Sequence, residues 1–257
     1  MPRFAANLTM MFTEWPFLDR FAAAADAGFA AVEFLFPYEH PPETIAARLT
    51  GNGLTLALFN LPPGDWAAGE RGLAALPERA ADFRAALETA LPYAEATGVP
   101  RLHMMAGLAD RADREAATAY RTAVAYAAER LDALGLELVI EPINRRDMPG
   151  YFLDDFAYAA ALIDGMKLPN LKLQYDVYHR QILHGDVIRS LEALMPIIGH
   201  VQIAAVPERH EPGTGELDDA RVFATLDALG YSGWVGCEYR PADGTVPGLR
   251  WRETLAG

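Results

Sequence analysis

At 257 residues, 51% of them apolar and 22% charged, the chain has the length and composition of one large globular domain, expected to span 1–257. A formal net charge of −13 lacks the basic footprint that nucleic acid or an anionic membrane surface needs, which leaves a small molecule as the expected partner. Cys237 is the only cysteine, so no intramolecular disulfide can form and a reducing, cytoplasmic setting is expected.

The chain opens on Arg3 and an apolar run that stops at Thr13-Glu14, too short to span a membrane and without a small-residue cleavage site. Short apolar runs then recur, each followed by an amphipathic stretch. In the first half the runs are Arg3 to Leu8, Ala30 to Phe34, Thr55 to Asn60 and Pro100 to Met104. In the second half they are Leu136 to Glu141, Asn170 to Asp176, His200 to Ile203 and Trp234 to Glu238. Near-continuous apolar runs suit parallel strands covered by helices. The longest helical stretch runs from about Arg114 to Leu134, with Tyr120, Val124, Ala127, Leu131 and Leu134 along one face. Gly28, Gly98, Gly135 and Gly230 follow helical stretches as C-terminal stops. Eight strand–helix alternations predict a (β/α)8 TIM barrel. An open doubly wound sheet loses ground because no glycine-rich phosphate loop follows any strand.

Barrel chemistry sits where strands end. The last four predicted strands each put a metal-competent side chain there: Glu141, Asp176, Gln202 and Glu238. Side chains alternate faces along a strand, so Gln174 shares the interior with Asp176, His200 with Gln202, and Gly236 with Glu238. The same count turns Leu136, Leu138, Ile140, Leu173, Tyr175, Val201, Val235 and Cys237 toward the helices. A single acid at a strand end is more often a helix N-cap or a solvated loop residue. Four on consecutive strands with matching parity favour one divalent cation, and an oxygen-rich set with one amide suits Mg2+ or Mn2+. His179, three residues after Asp176, is within reach of a bound ligand. His103 is either another such group or a plain interior residue. Among Arg145 and Arg146 one could clamp a substrate carboxylate, whose geometry a guanidinium matches. Glu33 could hold His103 or a substrate hydroxyl.

Together these residues resemble the hydroxypyruvate isomerase family of xylose isomerase-like barrels, over essentially the whole chain. The segments that carry the resemblance are Phe59-Asn60-Leu61-Pro62-Pro63-Gly64-Asp65-Trp66, His103-Met104-Met105-Ala106-Gly107, Glu141-Pro142-Ile143-Asn144, Tyr175-Asp176-Val177-Tyr178-His179, His200-Val201-Gln202-Ile203-Ala204 and Glu211-Pro212-Gly213-Thr214-Gly215-Glu216. The resemblance implies metal-assisted aldose–ketose isomerisation of a small hydroxy-oxo acid, with hydroxypyruvate to 2-hydroxy-3-oxopropanoate first and 2-oxo-tetronate next. It also implies that Glu141 and Glu238 are both ligands and the acid/base pair. Ketose 3-epimerases of the wider superfamily usually carry histidine where this chain has Gln202. A DNA-repair endonuclease on a related barrel would need a histidine-rich metal cluster and a basic groove, and this chain has six histidines in all. The loop Val206 to Leu217 leaves the mouth beyond Gln202 and is expected to pack over the site, bringing Arg209 to the substrate carboxylate or to the surrounding acids. Homo-oligomerisation is left open by the sequence.

Overall fold

A computed structural model describes residues 1–255. Eight parallel strands close on themselves in sequence order, each hydrogen-bonded to its neighbours and the last to the first. They are β1 (Arg3–Asn7), β2 (Ala31–Phe34), β3 (Thr55–Asn60), β4 (Arg101–His103), β5 (Glu137–Ile140), β6 (Leu171–Asp176), β7 (Ile198–Ile203) and β8 (Trp234–Cys237). Around them lie α1 (Arg20–Asp26), α2 (Pro42–Gly51), α3 (Ala80–Thr97), α4 (Arg114–Asp132), α5 (Phe156–Met166), α6 (Val177–His184), α7 (Val187–Leu194) and α8 (Asp219–Ala228), with short α9 (Thr245–Gly248) and α10 (Trp251–Thr254) at the end. No helix among the described residues is long and apolar enough to cross a membrane.

Strand alternation divides the side chains as expected. Leu138, Ile140, Leu171, Leu173, Tyr175, Val201, Ile203, Val235 and Cys237 all join the apolar layer between sheet and helices. Inside the barrel the lower layer is small, with Ala5, Ala31 and Ala57 packed together above Trp234. The expected boundaries shift by one or two residues: β7 begins earlier, at Ile198, and Glu141 and Glu238 stand one residue past β5 and β8. α4 ends at Asp132, so Leu134 is not on its buried face but 52% exposed, in the turn that Gly135 closes at φ 70°.

Candidate active site

Above the alanine layer the barrel interior turns polar. Asn7, Glu33, His103, Gln174, His200 and Gln202 are all buried. Glu33 is the hub of this layer. Its Oε1 accepts from Asn7 Nδ2 (3.0 Å) and Gln202 Nε2 (2.8 Å), and its Oε2 meets His200 Nε2 at 2.6 Å. Glu33 therefore holds His200 rather than His103 or a substrate hydroxyl. Room for its carboxyl comes from β8, where a Cβ on Gly236 would collide with both Glu33 oxygens. Gln202 Oε1 accepts from Gln174 Nε2 at 2.6 Å, which leaves that oxygen one lone pair.

The mouth sits directly above. Carboxylate oxygens of Glu141, Asp176 and Glu238 and a ring nitrogen of His179, all buried, lie within 4.8 Å of one another. Asp176 serves two purposes at once. Its Oδ1 accepts from Tyr178 N–H (2.8 Å) and caps α6, while Oδ2 lies 3.5 Å from both His179 Nε2 and the Arg209 guanidinium. Helix capping and a place in the site are thus not alternatives at this residue. Glu141 Oε1 is buried with no hydrogen-bond partner, and Oε2 stands 3.6 Å from His103 Nε2. Asn7 Nδ2 reaches Glu238 Oε1 at 3.4 Å and ties the mouth to the layer beneath.

His179 is held in one tautomer. Its Nδ1 receives the Asn144 backbone N–H (3.4 Å) and lies 2.7 Å from Asn144 Nδ2. A backbone N–H can only donate, so Nδ1 accepts and the ring hydrogen sits on Nε2, which faces Glu141 Oε1 at 3.8 Å. His179 thus presents a donor to the mouth, not a lone pair.

Electrostatics follow from burial. Desolvation, then Glu238 and Asp176, drive the Glu141 carboxyl far above the usual carboxylate range. Desolvation also raises Glu238 to about 8, against the pull of Arg209, and Asp176 to about 6. Burial holds His103 neutral, down at about 3, and pushes His179 well below its ordinary value. Burial opposes the charge on Arg209, but Glu238, Asp176 and Asp147 outweigh it and the guanidinium stays cationic.

Arg209 reaches this place from the 206–217 loop. Its guanidinium pairs with Glu238 and Asp147 (3.3 Å to the latter) and lies 4.7 Å over the Tyr178 ring. The expected approach to the acids is therefore present, but the acids already occupy its donors. Arg145 is not part of the cluster. It pairs with Asp154 at 2.5 Å and lines a separate groove with Arg111, while Arg146 lines the mouth. The contact of Asn144 with the His179 ring was not foreseen from sequence, and of the layer around Glu33 the sequence placed Gln174, His200 and Gln202 inside but missed Asn7 and the contacts that join them. Strand parity could have found Asn7 at the end of β1, but nothing in the sequence showed the Asn144 contact.

Three carboxylates packed this tightly, one with an orphaned oxygen, fit a hard divalent cation. Gln202 could supply only the remaining lone pair of Oε1.

The model of the xylose isomerase-like TIM barrel family matches residues 21–255. This chain belongs to that family. Over 261 residues, all of both chains, it is 56% identical to a 2-oxo-tetronate isomerase of Cupriavidus necator. It is 43% identical to a hydroxypyruvate isomerase of Escherichia coli, covering 98% of this chain and 99% of that one. A solved structure titled AP endonuclease, family 2, from Brucella melitensis superposes with a TM-score of 0.96 at 48% identity, covering 99% of each chain. Curated relatives over the full length are isomerases, and the family member described here is an enzyme of that class.

Proposed function

We propose that the protein interconverts short hydroxy-oxo acids by moving a carbonyl between C2 and C3, as in hydroxypyruvate to 2-hydroxy-3-oxopropanoate. The observation that carries the reading is the convergence of Glu141, Asp176 and Glu238 with the His179 N–H, at a mouth of about 460 Å3 that Glu141, His179 and Glu238 line. Full-length isomerase relatives support it.

Glu141, Asp176 and Glu238, with Gln202, would hold a divalent cation, Mg2+ or Mn2+ by the hardness of the donors. When bound, the cation polarises the substrate carbonyl and offsets the negative charge of the mouth. A glutamate, Glu141 or Glu238, takes the proton from C3, and that C–H pair becomes the C2–C3 double bond of an enediolate. The carboxyl so formed, which exchanges its proton with solvent, then protonates C2 while the hydroxyl proton moves from O3 to O2. The His179 Nε2–H donates to a substrate oxygen and favours the charge that develops there. Arg209 holds the acids and, with the substrate present, stands beside the reacting oxygens.

The four-carbon 2-oxo-tetronate is the second substrate to assay, favoured by the 56% identical relative. An endonuclease reading needs a histidine-rich metal cluster, and among the described residues only His103 and His179 line the mouth, with His40, His184, His200 and His210 outside its lining. Both acids should be incubated with cation-supplemented enzyme in deuterated water. Deuterium at C2 of the product, and loss of turnover on chelation, is the expected result. Inversion at one carbon of neutral ketoses, with neither acid consumed, would replace this reading by epimerisation.

A further inference from the structure

The proposed substrates carry a carboxylate, yet of the three arginines expected to meet it, Arg145, Arg146 and Arg209, the first and last are committed to protein carboxylates. Besides Arg209 the mouth is lined by Arg146, Arg71 and Arg240. Arg146 and Arg240 are exposed, whereas Arg71 is half-buried. Its guanidinium lies 3.9 Å over the Trp66 ring, and one of its nitrogens donates to the carbonyls of Trp66 (3.1 Å) and Glu70 (2.7 Å). Among the described residues no carboxylate pairs with it. Trp66 in turn leans on Phe36, with ring centroids 5.3 Å apart.

The segment that carries this pair is fastened at both ends. Glu70 accepts from the Asp65 N–H at 2.5 Å and pairs with Arg79, and Gly64 leaves the space that the Glu70 carboxyl fills. At the other end Gly72 bridges Ala106, and a Cβ there would enter the Met105 carbonyl. An arginine already stacked and tethered loses little further freedom when it binds, and the remaining edge of its fork is matched to a carboxylate.

We propose that Arg71, seated on Trp66, is the binding residue for the substrate carboxylate and so selects oxo acids over neutral sugars. The proposal rests on the isomerase reading above for its substrate, and its test is built to stand apart from that reading. Steady-state kinetics on hydroxypyruvate and calorimetric titration with glycerate should be run on wild type, Arg71→Ala, Arg71→Lys, Arg145→Ala, Arg146→Ala and Arg240→Ala. Glycerate offers the carboxylate and both hydroxyls but has no carbonyl to isomerise. Arg71→Ala should raise KM and the glycerate Kd about 10- to 100-fold, the usual loss for a charge-assisted hydrogen bond, while kcat stays within about threefold. Arg71→Lys should recover only part of the loss, because it keeps the charge without the fork. Arg145→Ala should match wild type. Unchanged KM and Kd in Arg71→Ala, or the same loss in Arg146→Ala or Arg240→Ala with Arg71→Ala silent, would overturn the assignment. A wild-type enzyme that turns over neither acid removes the isomerase reading, and the glycerate titration still decides the role of Arg71.

Discussion

Glu141 and Glu238 stand just beyond the last ladder positions of β5 and β8, where the barrel ends and their carboxyls lose water; both Glu238 oxygens find protein partners, in Asn7 and Arg209, but Glu141 Oε1 finds none. Such groups favour function over stability. Neutralising Glu141 should make this visible, because desolvation first, and Glu238 and Asp176 next, disfavour its charge. We expect Glu141→Gln to lose at least about 100-fold in turnover. In chelator its melting temperature should equal or exceed that of wild type, since an isosteric amide removes repulsion. Calorimetry that finds the variant clearly less stable, or kinetics near wild type, would count against this account of the residue. Glu141, Asp176 and Glu238 were readable at this scale because strand parity and position alone placed them. The His179 tautomer was not, because it depends on Asn144, which stands three residues past Glu141 in the loop after β5. Arg145 was misplaced for the opposite reason: sequence adjacency to Glu141 says nothing of Asp154, its actual partner.

Between β7 and α8, the 206–217 loop behaves as a braced arch. The Glu216 N–H bonds to the Val206 carbonyl at 2.9 Å, and Gly215 packs so closely on Val206 that a Cβ would overlap its backbone. Glu211 receives the Ala242 N–H at 3.1 Å, and the Arg209 carbonyl accepts from Arg240 N–H at 2.8 Å. Asp219, in the first turn of α8, anchors the arch by accepting the Gly213 N–H at 2.6 Å, with its other oxygen buried and unpartnered. Burial raises the Asp219 carboxyl to about 6 although the Gly213 bond pulls the other way. The folded state thus binds this proton more tightly than the unfolded chain does. No cost is felt below about pH 4, and stability falls as pH rises toward about 6, by roughly 3 kcal/mol in all. Asp219→Asn keeps an acceptor for Gly213 and has no charge to bury. Its melting temperature should coincide with wild type near pH 4 and lie above it at pH 7. A variant equally destabilised at both values would show that the charge is not what matters. The sequence announced this loop through its glycines and prolines, but not which contacts stiffen it, since those come from chain segments far apart in number.

For the molecule as a whole, eight apolar runs in alternation with helices were enough to anticipate a closed barrel, and period-two counting sorted inside from outside. The interior places of Gln174, His200 and Gln202 were among those sorted, but the contacts that join them to Glu33 and Asn7 remained hidden, because each links different strands. The cation proposed for the acids above that layer would couple ion binding to folding. A cation held only by the folded chain should raise the melting temperature with concentration, by about 2.7 kcal/mol at 100 times its Kd. For a chain of this size that is roughly 5–10 °C. Scans in Mg2+ or Mn2+ against chelator test this, and a midpoint indifferent to either ion would exclude a site in the mouth. Gly236 gives this architecture a vulnerable point that carries no chemistry of its own. Even a methyl group there would push Glu33 from its seat, and the disturbance would pass to His200, Gln202 and Asn7, then through Asn7 to Glu238. The enzyme is therefore open to inactivation from beneath, at a position that does not line the mouth and whose contribution is the space it leaves empty.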